Sequence, residues 1–377
     1  MATTNQSTSY PGFILKSRNV HAVNPSFTDD DIIRRTSMIK NPEGDRFTSE
    51  QLSWDNQLPN YNPIELTDGH TANQNNDLFK NTDHVQKVLS GDIKGFIGYA
   101  DPPLINGRLS DEGRQELETG IGTRYCFARS DSINTVTTVA INRKSHTGQL
   151  KFDPVTNLPL NPLGRTGLTG RGFLGRFGPN HAADGLVVKF RDGTLQVAMA
   201  HRNRDTRWAI PGGMVDFDEN PINSMFRELC EETGLNFYDQ IRNYFFSENQ
   251  MEGDTIFQDS TQFISWVGFK GQVDDDRNTD NAWMETMACV IILEDELSKT
   301  FTRFDVQDTQ EIGVACWVTV TSDFLTGKVP YTVSANGKTY SCTLWETHMK
   351  LLNTLVQQIV DRGFATCSPD GLYLKTH

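Results

Sequence analysis

The stretch GGMVDFDENPINSMFRELCEETGL, residues 212–235, decides how this chain is read. Asn220 is a good N-cap, Pro221 suits the first helical position and Gly234 is placed to end a helix, so the spacing predicts a helix over about 221–233. Ile222, Met225, Phe226 and Leu229 recur at i, i+3, i+4 and i+7 and form one apolar face. Glu228, Glu231 and Glu232 fall at i, i+3 and i+4 and share a second face. Like charges spaced this way repel by roughly 0.2–0.5 kcal/mol per pair, so a purely structural helix gains nothing from them. A helix that holds Mg2+ or Mn2+ does gain, because hard cations take carboxylate oxygens and bridge to phosphates. Arg227 stands beside the three acids and can form a bidentate pair that fixes one of them. The plain alternative is an acidic, solvated helix face.

Around this stretch the pattern alternates. Strands are expected at 185–190, 194–200, 207–210, 262–269, 284–293 and 314–320, with Asp192-Gly193-Thr194 as a hairpin turn. A second helix is expected over about 341–361, where Leu344, Trp345, His348, Leu352, Leu355, Val356 and Ile359 make an apolar stripe. His348 on that stripe is read as a packed histidine rather than a ligand. A mixed sheet between helices fits this order. Upstream, residues 164–178 read GRTGLTGRGFLGRFG, with six glycines and three arginines. The glycines permit positive φ, and the interleaved Arg, Phe and Leu are unlike a Gly/Ser linker, so an ordered loop is expected. Residues 1 to about 110 are turn-punctuated, followed by a short helix at 111–120 and a strand at 136–142.

Gly213, Glu219 and the run Arg227 to Leu235 meet all nine specified positions of the Nudix box, and on these residues the chain resembles the Nudix hydrolases. The resemblance implies an α/β fold, the Nudix α/β/α sandwich with a mixed sheet. A smaller, irregular α+β N-terminal domain covering the cleft is expected at 1–160, and the catalytic domain at 161–377. It also implies that Glu228, Glu231 and Glu232 are metal ligands, that the Gly213 carbonyl adds another, and that Arg227 and Glu219 orient the set. The cofactor expected is Mg2+ or Mn2+. Glu231 or Glu232 is the first choice for general base, with Glu285 an outside candidate.

Three longer blocks sharpen the resemblance: 164–184, WAIPGGMVD at 208–216 and VDDDRNTDNAWMET at 273–286. They are similar to the metazoan-type ADP-ribose pyrophosphatases, relatives of the C-terminal domain of a melastatin-type TRP channel. SYPG (9–12), PNYNPIEL (59–66) and LPLNP (158–162) are weaker echoes. The family implies hydrolysis of ADP-ribose to AMP and ribose 5-phosphate, with Asn180, His181, Asp275 and Arg277 lining the substrate site. Asp276 stands where the family commonly has proline. Trp283 and Phe177 are weighed both as adenine-stacking residues and as core.

Composition narrows the partners. With 35 Lys and Arg against 48 Asp and Glu the formal charge is -13, which argues against nucleic acid and leaves a phosphorylated substrate in need of a cation. No run approaches the ~18 apolar residues of a membrane helix, so no membrane partner is expected. The six cysteines (Cys126, Cys230, Cys289, Cys316, Cys342 and Cys367) have no zinc spacing. Cys230, Cys289 and Cys316 sit in apolar runs and read as core, which suits a reducing compartment. The N-terminus lacks a signal core and is poor in basic residues, so a cytoplasmic monomer is expected, with the mitochondrion as the other location. Two other readings stand beside hydrolysis of ADP-ribose. One is a module that senses ADP-ribose without turnover. The other is a Nudix hydrolase of a different ADP-linked substrate such as NADH.

Overall fold

The computed structural model describes residues 52–58, 61–65, 104–105, 107–127, 136–203 apart from 173 and 175, and 207–235 apart from 216–218. It further describes residues 257–259, 263–327 apart from 276 and 302, and 331–376 apart from 336, 337, 343 and 345. The N-terminal targeting question, SYPG at 9–12, part of 59–66, Asp276 and Trp345 therefore lie outside the described residues. The chain divides into two compact units: Met1–Asn180 with Gln272–Met284, and His181–Gly271 with Glu285–His377.

The second unit is built on a ten-stranded sheet whose main path runs Phe257–Asp259, Phe263–Gln272, Ala282–Leu293, Gly178–Arg191, Thr194–Arg202, Tyr373–Lys375, Ala365–Cys367. Strand Ile312–Thr319 pairs antiparallel with Thr194–Arg202, and the short strand Gly212–Met214 pairs antiparallel with residues 182–184. The hairpin forms where expected. Asp192 (φ 50°) and Gly193 (φ 75°) both take positive φ, the backbone that a tight two-residue turn requires.

Strand periodicity splits the core in two. Leu186 and Val188, Leu195, Val197 and Met199, and Ala288, Val290 and Ile292 pack in one cluster with Leu351, Leu352, Leu355, Val356 and Ile359. These last five lie on the helix Glu346–Asp361. The intervening residues Val187, Ala198, Met287, Cys289, Ile291 and Leu293 pack in a second cluster with Ile222, Met225, Phe226 and Leu229. Those four are the apolar face of the helix Pro221–Thr233, which begins and ends where expected. Alternate side chains of each strand point to opposite sides, so one sheet serves two helices, and this is the α/β/α sandwich.

Two expectations shift in detail. The C-terminal helix starts at Glu346 rather than 341, because Lys338–Cys342 pairs as a strand with Tyr331–Ala335. Cys289 and Cys316 are buried as expected, but Cys230 is only half-buried and its Sγ accepts from Gln307 Nε2 at 3.8 Å. His348 is a packed histidine, its Nδ1 accepting the Ile210 amide at 3.1 Å.

The first unit is an irregular α+β body. Leu109, Leu117, Leu150, Leu158, Phe177 and Trp283 form its core, so both aromatic rings weighed above are structural. The helix Asp111–Thr119 is capped by Ser110 and closed by Gly120. The glycine-rich loop is ordered: Gly164, Gly167, Gly170, Gly172 and Gly178 all have positive φ. The loop is strapped by Asp280, which accepts from Thr166 N (2.7 Å), Thr166 Oγ1 (2.9 Å) and Tyr61 Oη (2.7 Å). Arg165 stacks over Trp54 and donates to the carbonyls of Leu52, Ser53 and Asn56.

Leu355 is fully buried between sheet and helix. Leu355→Ala is expected to cost about 2–5 kcal/mol in urea unfolding without changing the m-value.

Candidate active site

The loop and helix of residues 212–234 converge because two glycines let backbone and carboxylate meet. A Cβ on Gly213 would lie 2.3 Å from Glu228 Oε1, and one on Gly212 would lie 2.4 Å from Asp184 Oδ1. At Gly212 a Cβ would also meet the Ala183 carbonyl oxygen at 2.5 Å, so backbone excludes a side chain there, whereas at Gly213 a side chain would displace the Glu228 carboxylate. The Gly212 amide donates to Glu232 Oε2 at 3.0 Å, which ties the loop to the helix. At the far end Gly234 adopts φ 71° against the Asp305 carbonyl and stops the helix.

Arg227 organises the acids. Its Nε donates to Glu219 Oε1 and Oε2 at 3.0 and 3.1 Å, and its Nη2 to Glu219 Oε2 at 3.0 Å. Nη1 donates to Glu228 Oε1 at 2.8 Å and to Glu231 Oε2 at 3.2 Å, and Nη2 also reaches the Met214 carbonyl at 3.2 Å. One guanidinium thus spans three carboxylates and the loop. Ser224 Oγ donates to Glu219 from the other side. Burial works against the Arg227 charge, but hydrogen bonds and charges from Glu219 and Glu228 outweigh it and hold its pKa above the ordinary value.

The three box glutamates differ in environment. Glu232 is 4% exposed, and burial pushes its pKa up to about 8 against the opposing pull of Arg202 and the Gly212 amide. Burial likewise pushes Glu228 up to about 7, opposed by Arg227. The Glu231 side chain is 44% exposed. Beneath the loop, Asp184 accepts from Thr286 Oγ1 at 2.5 Å and is pushed up to about 6 by burial. Glu228 and Glu231 both offer an oxygen to Arg227 Nη1, and carboxylate oxygens are the donor type that a hard divalent cation takes.

The other expected site residues have these surroundings. His181 Nε2 lies 3.5 Å from Glu285 Oε2, with Glu285 fully buried, and the His181 carbonyl accepts the Val215 amide at 2.9 Å, next to the Arg227-bound Met214. Asn180, in the first unit, donates to the carbonyls of Arg176 and Gly178 and so shapes the end of the glycine-rich loop. Also in the first unit, Asp275 grips Arg277. Its Oδ1 accepts Arg277 Nε at 2.8 Å and the Arg277 amide at 2.9 Å, and its Oδ2 accepts Nη2 at 2.9 Å. Asp184, Arg202 and Glu311 escaped the sequence reading. Each stands outside the box, and only strand pairing and loop return bring them to it.

The raised acids predict a pH dependence. A group whose folded pKa exceeds its unfolded value stabilises fully below the unfolded pKa, and that contribution is lost as pH rises through the folded one. With divalent cations chelated, Tm is therefore expected to fall from about pH 4.5 toward pH 8, the window set by Glu228 and Glu232. Glu232→Gln is expected to flatten part of this slope in differential scanning calorimetry.

A family model described as "NUDIX domain" matches residues 179–322, and one described as "NUDT9-like, N-terminal domain" matches residues 128–178. Over 148 residues the chain is 47% identical to a putative nudix hydrolase 6 of Caenorhabditis elegans, covering 39% of this chain and 51% of that one. It is 35% identical over 292 residues to the mitochondrial ADP-ribose pyrophosphatase of Rattus norvegicus, covering 74% of this chain and 68% of the relative. A third relative is a transient receptor potential cation channel subfamily M member-like 2 of Nematostella vectensis. It is 35% identical over 199 residues, covering 49% of this chain and 12% of the channel. The chain thus spans 51% of the worm relative's length and 68% of the rat enzyme's. With a glycine-gated carboxylate helix in an α/β/α sandwich and a NUDT9-like N-terminal domain ahead of it, this chain belongs to the Nudix hydrolase family.

Proposed function

We propose that the chain hydrolyses the diphosphate of ADP-ribose to AMP and ribose 5-phosphate, with Mg2+ as the cofactor and Mn2+ able to replace it. The observation that carries this reading is the carboxylate set itself: Glu228, Glu231 and Glu232 on one helix face, the first two bridged by Arg227 and the third held by the Gly212 amide, with burial raising the pKa of Glu228 and Glu232. The substrate class is supported by the likeness to a rat protein named ADP-ribose pyrophosphatase over most of this chain.

In this reading Glu228, Glu231, Glu232 and the Gly213 carbonyl would hold the cation, while Arg227, fixed by Glu219, keeps Glu228 and Glu231 from rotating away and the Gly212 amide does the same for Glu232. The bound cation supplies neutralisation of the diphosphate, polarisation of the P–O bond and a more acidic water. Glu231, the most exposed carboxylate of the set, takes the proton from the attacking water. Asn180, His181, Asp275 and Arg277 bind the ADP-ribose. Arg277 presents a guanidinium already oriented by Asp275, and an oriented guanidinium loses less entropy on meeting a phosphate or a ribose hydroxyl. His181 Nε2 stands 3.5 Å from Glu285 Oε2, a carboxylate that would pair with the imidazole in its protonated form. A chain of charge -13 holds a diphosphate only through this cation and these few basic groups.

Two measurements test the proposal. ADP-ribose, NADH, ADP-glucose and coenzyme A are compared with Mg2+ in ¹⁸O-water. ADP-ribose is expected to give the highest kcat/KM, with solvent oxygen found in AMP or ribose 5-phosphate, and a higher value for any other compound overturns the substrate. Separately, Glu232→Gln keeps the side-chain shape and removes a charged oxygen. Its kcat is expected to fall about 100-fold while the protein stays folded by circular dichroism. A near-normal rate overturns the ligand role.

A further inference from the structure

A charge pair outside the box joins two segments that hold the carboxylate helix and its loop. Arg202 ends its strand, and its Nη2 stands 2.9 Å from Glu311 Oε1. The pairing with Ile312–Thr319 shifts register between His201 and Arg202, so Arg202 leaves the regular alternation of the sheet.

Each member of the pair is tied by backbone to a different part of the site. The Arg202 amide donates to the Arg207 carbonyl at 3.0 Å, and from Arg207 the chain runs through Trp208 and Ala209 to Gly212, whose amide holds Glu232. On the other side the Glu311 amide donates to Asp308 Oδ1 at 3.1 Å, and its carbonyl accepts the Asn203 amide at 2.8 Å. The Gln307 and Asp308 amides donate to the Glu231 carbonyl at 2.8 and 2.9 Å, and the Asp305 amide donates to the Thr233 carbonyl at 3.0 Å. The pair therefore reinforces a ring, closed by the Asn203–Glu311 backbone bond, that leaves the last turn of the carboxylate helix, follows residues 305–311, crosses to Arg202 and returns through Gly212 to Glu232.

We propose that Arg202, held by Glu311, is a positioning residue of the cation site, keeping the Glu232 carboxylate and the 305–311 loop in the arrangement that receives the divalent cation. The inference rests on the carboxylate set being such a site. Coulomb's law alone makes the opposite prediction, since deleting a positive charge beside a cation site tightens cation binding. A positioning role weakens it, because the 305–311 loop, whose amides hold the last turn of the carboxylate helix, loses its side-chain tie to the strand end that leads to Gly212.

The full-length protein is titrated with Mn2+ alone, free Mn2+ being read by electron paramagnetic resonance. Thermal unfolding and the kcat and KM for ADP-ribose are recorded alongside. Arg202→Met is expected to bind Mn2+ about ten-fold more weakly than the parent, with kcat falling more than KM rises, and Arg202→Lys to recover part of the loss. The double variant Arg202→Met/Glu311→Gln is expected to be no worse than Arg202→Met alone, as for two residues acting as one unit. Unchanged or tighter Mn2+ binding by folded Arg202→Met overturns the proposal, and so does an additive loss in the double variant. If Arg202→Met does not fold, Arg202→Lys and Glu311→Gln decide, since Mn2+ affinities equal to the parent's also overturn it. A parent that binds Mn2+ without cleaving ADP-ribose overturns the enzymatic reading and leaves this test intact. A parent that binds no Mn2+ overturns both.

Discussion

Three carboxylates on one face of one helix repel each other, and most of the catalytic unit is arranged around keeping them there. Arg227 answers the repulsion directly by reaching Glu219, Glu228 and Glu231 with a single planar group. A lysine could not do this, having one point charge and no fork. Gly213 answers it sterically, by leaving the space that Glu228 occupies. Gly212 answers it with an amide aimed at Glu232. The raised pKa values of Glu228 and Glu232 come first from burial, with the charges of neighbouring acids a smaller contribution.

The sandwich supplies the rigidity that this arrangement needs. Because each central strand buries alternate residues against a different helix, the carboxylate helix is seated by Ile222, Met225, Phe226 and Leu229 on a sheet that is itself backed by a second helix. Leu229 also packs against Gly185, where a Cβ would lie 2.6 Å from Leu229 Cδ1, so helix and sheet approach as closely as backbone allows. A carboxylate displaced by an ångström loses its place in a coordination set, and dense packing on both sheet faces resists such displacement.

The first unit illustrates how a suggestive composition is spent on structure. The glycine-rich loop holds arginines of the kind that bind phosphate, yet Arg165 is occupied with Trp54, Tyr61 and three backbone carbonyls. Trp283 and Phe177, candidates for stacking on adenine, are core. The Asp275–Arg277 pair is different in kind, because a buried acid holds a partly exposed guanidinium in one orientation. That is pre-organisation of a basic group rather than its consumption.

The sequence alone determined the carboxylate helix, its two caps, its apolar face and the hairpin at Asp192-Gly193, while the sandwich was implied by the resemblance to the Nudix hydrolases. The helix, caps and hairpin follow from local rules: cap chemistry, the 3.6-residue period, and the backbone freedom of glycine. The pairing of Arg227 with Glu219 and its neighbouring acids was legible for the same reason, since these contacts fall within one short loop-helix segment. Only the tertiary structure decided which glutamates are buried, because burial of Glu232 and Glu228 depends on what the sheet and the returning loop place over them. Only it brought Asp184 under Gly212 and joined Arg202 to Glu311 across more than a hundred residues of chain. A single acid in a strand or a single arginine at a strand end carries no periodic signal. Its meaning arises from the pairing of distant segments, which no local pattern encodes.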